Sequence, residues 1–408
     1  MKASFIDYPL LTTFLFLLLP GIPQPVHLQE MNGTEISIQQ AVDTAMANNL
    51  LIQNARLKLV YAKTLQKGAI NLDPVEFTYQ WGQINSSNPD YYLEVNQNFG
   101  SIVTIAQTLR QARMNYEWEL TAYELTIKQL SAEIKSAYLF WQYQYAIVKV
   151  REEETTFYQR LAEVVNLRYE TGDISLLERT LATSKASEVN SNYLNSLDDL
   201  VIADLKFHQL LSANTKLIPF SESFQIYEIV KTGDTSSLRG ETMTSYFDTK
   251  YKLVKSEEAI IRLHYFPEIT AGFFSQEIEN EGGLYGWQIG LALPIWIRSQ
   301  HAEVVQSRIE SQIAMNELEY NKNRIASEIE SLLYDLNKSF RQIRHYQLEA
   351  LPQADILIKT AEDQLQAEEI DYTKFLESIS KAIQIKEGYF SVVNDYNQKA
   401  VQLEMYEK

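Results

Sequence analysis

Two short segments of this 408-residue chain gather carboxylates where an otherwise helical pattern breaks. Residues 169–178 (YETGDISLLE) contain Tyr169, Glu170, Gly172, Asp173 and Glu178. Residues 368–377 (EEIDYTKFLE) contain Glu368, Glu369, Asp371, Tyr372 and Glu377. Arg179 and Lys374 are the bases beside them. General acid–base hydrolysis would need two carboxylates facing each other across a cleft, whereas these lie at the ends of helical rods. Metal ligation would need a spaced set including His or Cys. Cysteine is absent, and the five histidines (His27, His208, His264, His301, His345) are scattered. No metal site and no cofactor is therefore expected. HExxH, GxSxG, Walker A and GxGxxG patterns are also missing, and the chain does not read as an enzyme. The remaining chemistry is electrostatic: repeated carboxylates attract cations and can gate by mutual repulsion. The plainer alternative is that they solvate exposed turns.

The net charge is −17, from 53 acids against 36 bases. That excludes nucleic acid, whose phosphates demand a basic surface, and favours cationic or neutral partners. Aromatics make up 12% of the chain, and 25 of these residues are Tyr, which requires a folded core. Residues 1–25 carry Lys2, an apolar run from Leu10 to Leu19, and then Pro20, Gly21 and Pro23. The run is too short for a bilayer-spanning helix and suits a signal peptide. A buried core helix is the alternative. No later segment holds 18 consecutive apolar residues, so any membrane crossing falls to strands.

The elements that position the carboxylates read in a repeated order. Residues 36–68 have helical spacing. Strands follow at about 75–83 and 90–99, where Phe77, Tyr79, Trp81, Tyr91, Leu93 and Val95 alternate with polar or small residues. From Thr104 to Tyr169 there is no Pro or Gly. Leu120, Ile127, Ile134, Trp141 and Val148 recur as a heptad, with Tyr123, Leu130 and Ala137 between them. Such a helix is a rod of about 100 Å. The first acidic segment ends it, and helix resumes to Leu211. The second pass runs from helix (237–264) to strand (266–279, with Ile269, Ala271 and Phe273 on one side). A turn follows at Glu279–Gly283, then a strand (284–294) in which Tyr285, Trp287, Ile289, Leu291 and Leu293 alternate with Gly286, Gln288, Gly290 and Ala292. A long helix from Arg298 to Ala350 is interrupted near Pro352; the second acidic segment breaks the pattern again, and helix runs to the end. Ala106 lies opposite Ala302, and Leu177-Glu178 opposite Leu376-Glu377, at nearly one offset. The chain divides into a first repeat at 26–220 and a second at 221–408.

Four strands with one apolar face cannot close a barrel, and an open edge is prohibitively costly in lipid. Either the chain oligomerises in a membrane, or the sheet lies half-buried against protein in water. The signal peptide and the rods favour the membrane, with Gln80, Glu94, Asn96, Asn98, Gln276 and Gln288 lining a lumen.

The ordered set resembles the TolC family of outer-membrane efflux channels. The opening helix carries Ala41, Ala45, Asn48 and Asn49, which resemble the two alanines and the closing Asn-Asn/Pro pair of the family's first helix. Residues 168–178 (RYETGDISLLE) resemble its Y-x2-G-x-I-S-x-L turn. VNQNFGSIVTIAQTLRQAR and LALPIWIRSQHAEVVQSRI, with Pro294, look like its two strand-to-helix joints. Residues 367–404 are similar to the last helix of the metal-efflux branch. The resemblance covers residues 36–408. It implies a mainly α fold with a β-barrel portion. A homotrimer would form a twelve-stranded transmembrane barrel in outer-membrane lipid and an α-helical barrel in the periplasm. It also implies a periplasmic adaptor docking on the two tips, an inner-membrane pump of the resistance–nodulation–division class, and heavy-metal cations as cargo. Drug efflux and type I protein secretion are alternatives within the family, and a pore-free periplasmic coiled-coil scaffold is an alternative outside it. Glu368-Glu369-Ile370 stand where the family usually has Gly. A lipidated cysteine, common in the metal branch, is missing, which leaves anchoring to the barrel.

Overall fold

The computed structural model describes residues 33–407 apart from 71, 86, 221–223, 229–237, 280, 294, 296 and 368. The expected signal peptide at 1–25, Pro294 and Glu368 therefore lie outside the described residues.

The chain opens with strand β1 (Thr34–Ile36) and helix α1 (Ile38–Asn48), whose start is fixed by a reciprocal cap between Ser37 and Gln40. The single helix expected over 36–68 is in fact two, because the backbone turns extended at Asn49 before α2 (Leu50–Lys67). The Asn49 Oδ1 accepts from the Leu51 N–H at 2.8 Å, and its Nδ2 donates to the Leu210 carbonyl at 2.8 Å. One buried side chain thus caps a helix and ties it to a residue 161 positions away.

Strands β2 (Glu76–Gly82) and β3 (Asp90–Asn98) lead into α3 (Ile102–Glu170), an uninterrupted helix of 69 residues. Along its heptad, Leu130, Ile134, Ala137, Trp141 and Val148 are buried, while Leu120, Tyr123 and Ile127 are half-buried. Helix α4 (Leu176–Leu211) folds back along it, and Leu197, Leu200 and Ala203 pack onto Trp141 and Val148. A short strand β4 (Leu217–Pro219) then pairs parallel to β1. The Tyr138 hydroxyl joins these pieces, donating to the Ile36 carbonyl at 3.0 Å and accepting from the Phe220 N–H at 3.1 Å.

The second pass begins with α5 (Glu241–Leu263), β5 (Glu268–Ile278) and β6 (Glu281–Ala292). The turn expected at Glu279–Gly283 is shorter than that. Ile278 pairs directly with Glu281, Glu279 takes a left-handed φ of 54°, and Gly282 and Gly283 belong to the strand. The second rod runs through α6 (Ile297–His345), a π-helical turn (Tyr346–Ala350) and α7 (Leu351–Gln366). The interruption expected near Pro352 does not break it. Proline lacks an N–H and crowds the carbonyl four residues before it. The wide turn, in which the Leu351 N–H donates to the Tyr346 carbonyl, relieves that conflict without ending the helix. Helix α8 (Tyr372–Glu404) returns along the bundle. Its buried Asn397 accepts from the Tyr227 N–H at 2.7 Å and donates to the Gln225 carbonyl at 2.9 Å, fastening the strap between the repeats.

Removing both functions of Asn49 with Asn49→Ala should cost about 1–3 kcal/mol. Asn49→Ser keeps a capping acceptor without setting a carboxylate against the Leu210 carbonyl and should cost less. Thermal unfolding of the detergent-solubilised protein checks the order.

Candidate functional site

The four-stranded sheet has the order β2-β3-β5-β6, antiparallel throughout. Its register brings the alternating apolar residues onto one face. Phe77, Val95, Phe273 and Trp287 form one row across all four strands; Tyr79, Leu93, Ser275 and Tyr285 form the next; and Trp81 opposes Tyr91. Ile289 and Leu291 continue this face opposite Ala271 and Ile269. Phe77, Tyr79, Trp81, Tyr285, Trp287, Ile289 and Leu291 are exposed, Trp287 at 80%, while Tyr91, Leu93, Val95 and Phe273 are half-buried between strands. Phe273 meets Trp287 edge to face at 5.2 Å.

The opposite face is crowded by its own side chains. Glu94 accepts hydrogen bonds from Gln288 and, at 3.2 Å, from the Tyr92 hydroxyl. Tyr92 stacks on Phe274 at 6.0 Å. Gly286 makes room for that ring, because a Cβ there would lie 2.6 Å from it. The side-chain hydrogen bonds thus lie on the face opposite the bare aromatics. Among the described residues, both outer strands, β2 and β6, have one edge without a partner strand.

The rods carry the two acidic segments to one end of the molecule, where the helical hairpins pack on each other. Tyr158 and Val189 from the first hairpin share a cluster with Ala361, Phe375, Leu376 and Ile379 from the second. At the first tip Gly172 takes a φ of +83°, conformational space that glycine enters without strain. The Asp173 N–H then donates to the Arg168 carbonyl at 2.9 Å, closing the end of α3. Ser175 and Glu178 form a reciprocal cap that starts α4. Hydrogen bonds from the Ser175 N–H and hydroxyl hold the Glu178 carboxyl below the usual range. Tyr169 lies under the Arg179 guanidinium, 4.8 Å from its ring centre. Glu170 and Asp173 are exposed.

At the second tip Asp371 caps α8 through the Lys374 N–H at 2.8 Å, and Glu369 and Glu377 are exposed. Tyr372 is 6% exposed and packs with Val165 and Ala182, so it joins the two hairpins at this end. Arg168, left out of the sequence count of bases, reaches the same ring, with its Nη1 3.4 Å from the Tyr372 hydroxyl. Also absent from that reading are the exposed apolar residues Val164, Leu167, Leu176 and Leu177 beside the first tip.

Midway along the rods sits another cluster that sequence spacing did not single out. Arg151 binds Glu387 at 2.9 Å, and burial, with Glu387 nearby, pushes the Glu154 carboxyl above its ordinary range. These residues come from α3 and α8, far apart in the chain.

No protein-family model and no curated protein sequence matches the chain. Solved structures do. CusC superposes with a TM-score of 0.78 at 16% identity over 92% of each chain. A Pseudomonas aeruginosa membrane protein gives 0.80 at 14% identity, over 90% of this chain and 93% of that one. The Campylobacter jejuni CmeC outer-membrane channel gives 0.79 at 11% identity, over 90% and 85%. The fold is that of the outer-membrane efflux channels. In this channel fold the sheet and the rods are one continuous wall, since β3 passes into α3 through a single turn at Gly100. The Ile269 N–H donates to the Gly100 carbonyl at 3.0 Å, and the Phe99 N–H to the Ile269 carbonyl at 2.9 Å.

Ser175→Ala removes one cap of the first tip and should cost about 1 kcal/mol locally. The expected signal is faster proteolytic clipping near 171–178 with an unchanged global unfolding midpoint. The lowered Glu178 carboxyl adds a pH dependence of defined sign. Its contribution is complete above the unfolded carboxylate range and is lost as pH falls through the lower folded value. Clipping of the parent protein should therefore accelerate only as pH falls below the ordinary carboxylate range.

Proposed function

We propose that this chain is the outer-membrane component of a tripartite efflux system, passing cargo from a periplasmic adaptor and an inner-membrane pump to the outside. The observation that carries this reading is the sheet. It presents one continuous apolar face and, among the described residues, two unpaired edges, and it is fused to rods of about 100 Å. Such a sheet is stable in a bilayer only when copies close it into a ring. Three copies give the twelve-stranded barrel that the TolC resemblance implies, with residues 26–220 and 221–408 as its two repeats. Phe77, Tyr79, Trp81, Tyr91, Leu93, Val95, Phe273, Tyr285, Trp287, Ile289 and Leu291 then face lipid. The rods extend into the periplasm, and the tunnel is passive.

The tips are the proposed adaptor-docking end. Leu167, Leu176 and Leu177 offer apolar contact there, ringed by Glu170, Asp173, Glu369 and Glu377. Threefold repetition of those acids biases the aperture toward cations. Together with the resemblance of the last helix to the metal-efflux branch, this favours heavy-metal cations as cargo rather than drugs or secreted protein. The solved relatives include both CusC and CmeC, and their likeness to this chain is equally strong in fold.

Two experiments test the reading. Trp287→Lys or Tyr79→Lys puts a charge on the lipid face at a cost of about 2–4 kcal/mol near the bilayer midplane. Either should abolish outer-membrane assembly, scored by membrane fractionation; an unimpaired variant favours the pore-free scaffold. Deletion of the gene should sensitise cells to copper, zinc or cobalt. Unchanged metal tolerance with new antibiotic sensitivity would move the cargo to drugs.

A further inference from the structure

Directly beneath the sheet, α3 and α5 run antiparallel, tied by Gln111 to Glu257 at 3.4 Å and by Thr121 to Thr249 at 2.8 Å. Between them lies an open groove of about 860 Å3. Five cationic side chains line it, Arg110, Arg113, Lys252, Lys255 and Arg262, against two carboxylates, Glu117 and Glu258. Asp248 and Glu257 flank it. Several of these charges are already engaged. Arg113 binds Glu117 at 3.0 Å, Arg262 binds Glu258, and Lys252 binds Asp248 at 2.6 Å. Two cations have no carboxylate. Lys255 rests on the Tyr251 ring and hydroxyl, and Arg110 makes no ion pair or side-chain hydrogen bond among the described residues. In a chain of net charge −17, this excess of cations is local.

Its position gives the excess a meaning. The exposed residues of the first turns of α3 are Ile102, Val103, Ala106, Leu109, Arg110 and Arg113, which recur once per helical turn on one side of the helix. They form one stripe that begins apolar at the foot of the sheet and ends in two guanidiniums. On the facing chain segment, Arg262 stands four residues before Phe266, and Tyr265 and Phe266 are exposed. With Phe99, Leu293 and Ile295 these side chains make a greasy, partly aromatic belt at the strand-to-helix joints. Aromatics followed at once by Arg and Lys mark a membrane–water boundary, where the cations reach lipid phosphates. A lumen-facing stripe would not expose Ile102, Val103 and Leu109 to a water-filled channel. Nor is the groove a contact between copies. Within the chain α3 has α2 on its other side and α5 has α6, so the groove lies at the middle of the protomer and away from its lateral edges.

We infer that the α3–α5 groove binds the headgroup of an anionic glycerophospholipid in the periplasm-facing leaflet. Arg110 and Lys255 receive the phosphodiester, and Ile102, Val103 and Leu109 lie along the first part of the acyl chains. The phosphate takes the unpaired guanidinium in the two-pronged geometry that arginine offers to oxyanions. This inference rests on the channel reading and adds a specific lipid partner to it.

The test uses the full-length protein in nanodiscs and in detergent, with phosphatidylglycerol, phosphatidylethanolamine and inorganic phosphate as probes. Native mass spectrometry should show phosphatidylglycerol retained on the wild-type oligomer and phosphatidylethanolamine largely lost. The double variant Arg110→Gln, Lys255→Gln removes no carboxylate's partner, so its fold should survive. It should weaken phosphatidylglycerol retention about tenfold. The charge-conserving pair Arg110→Lys, Lys255→Arg should restore most of it. Equal retention of the two lipids overturns the inference, as does a double variant that holds phosphatidylglycerol like wild type. Displacement of the lipid by millimolar inorganic phosphate also overturns it, since that marks a free-anion site. Conductance across a planar bilayer is measured on the same samples. A conducting oligomer without lipid preference refutes the lipid site alone, whereas a chain that forms no conducting oligomer refutes the channel reading beneath it.

Discussion

The outer edges of β2 and β6 are the constraint on which the rest of the molecule depends. Each presents a row of backbone N–H and C=O groups with no strand beside it among the described residues. In water such an edge is a liability; in hydrocarbon every unsatisfied group costs several kcal/mol. The apolar row from Phe77 to Trp287 nevertheless suits the sheet to hydrocarbon. The proposed ring reconciles the two demands by pairing the β6 edge of one chain with the β2 edge of another. The order α2, α3, α5, α6 across the bundle follows the order β2, β3, β5, β6 across the sheet. In that proposed ring, closing the sheet would also set the rods side by side, so that one ring of contacts serves both.

The packing is distributed along the rods in several separate clusters. Heptad residues zip α3 to α4, and a second seam around Tyr158, Phe375 and Ile379 joins the two hairpins near the tips. On the sheet side of these seams, single polar side chains make long-range ties. Tyr138 holds β1 and the segment after β4, Asn49 holds the end of α4, and Asn397 holds the strap at 225–227. Each is a buried group whose hydrogen bonds are satisfied only in this arrangement, which makes it a determinant of register more than of bulk stability.

Period-two and heptad patterns were legible because they repeat. The odd-numbered aromatics of β2 and β3, and the alternation of β6 with its glycines, identify the lipid-compatible face before any coordinates. The Ile134–Trp141–Val148 series likewise identifies the seam of α3. Features resting on one residue or on distant contacts were not legible. Asn49 sits inside a helical pattern, and only its bond to Leu210 shows why the helix must break there. Strands β1 and β4 are three residues each, too short to have a period. Pro352 reads as a helix breaker until the π turn before it is seen. Gly282 and Gly283 read as turn residues, but the bulge at Gln276/Ile278 shifts the register and draws them into β6. At the tips the acids were visible in sequence, whereas the burial of Tyr372 depends on Val165 and Ala182, about 200 positions away.

The absence of cysteine from the chain allows the central claim to be tested directly. Single cysteines placed along β2 and along β6 would be combined pairwise in membranes and oxidised. A twelve-stranded ring of three copies predicts a ladder of cross-linked species that stops at three chains, for those pairs whose positions share a register across the β6–β2 seam. A chain that remains monomeric at every pair, or a ladder that runs past three, would contradict it.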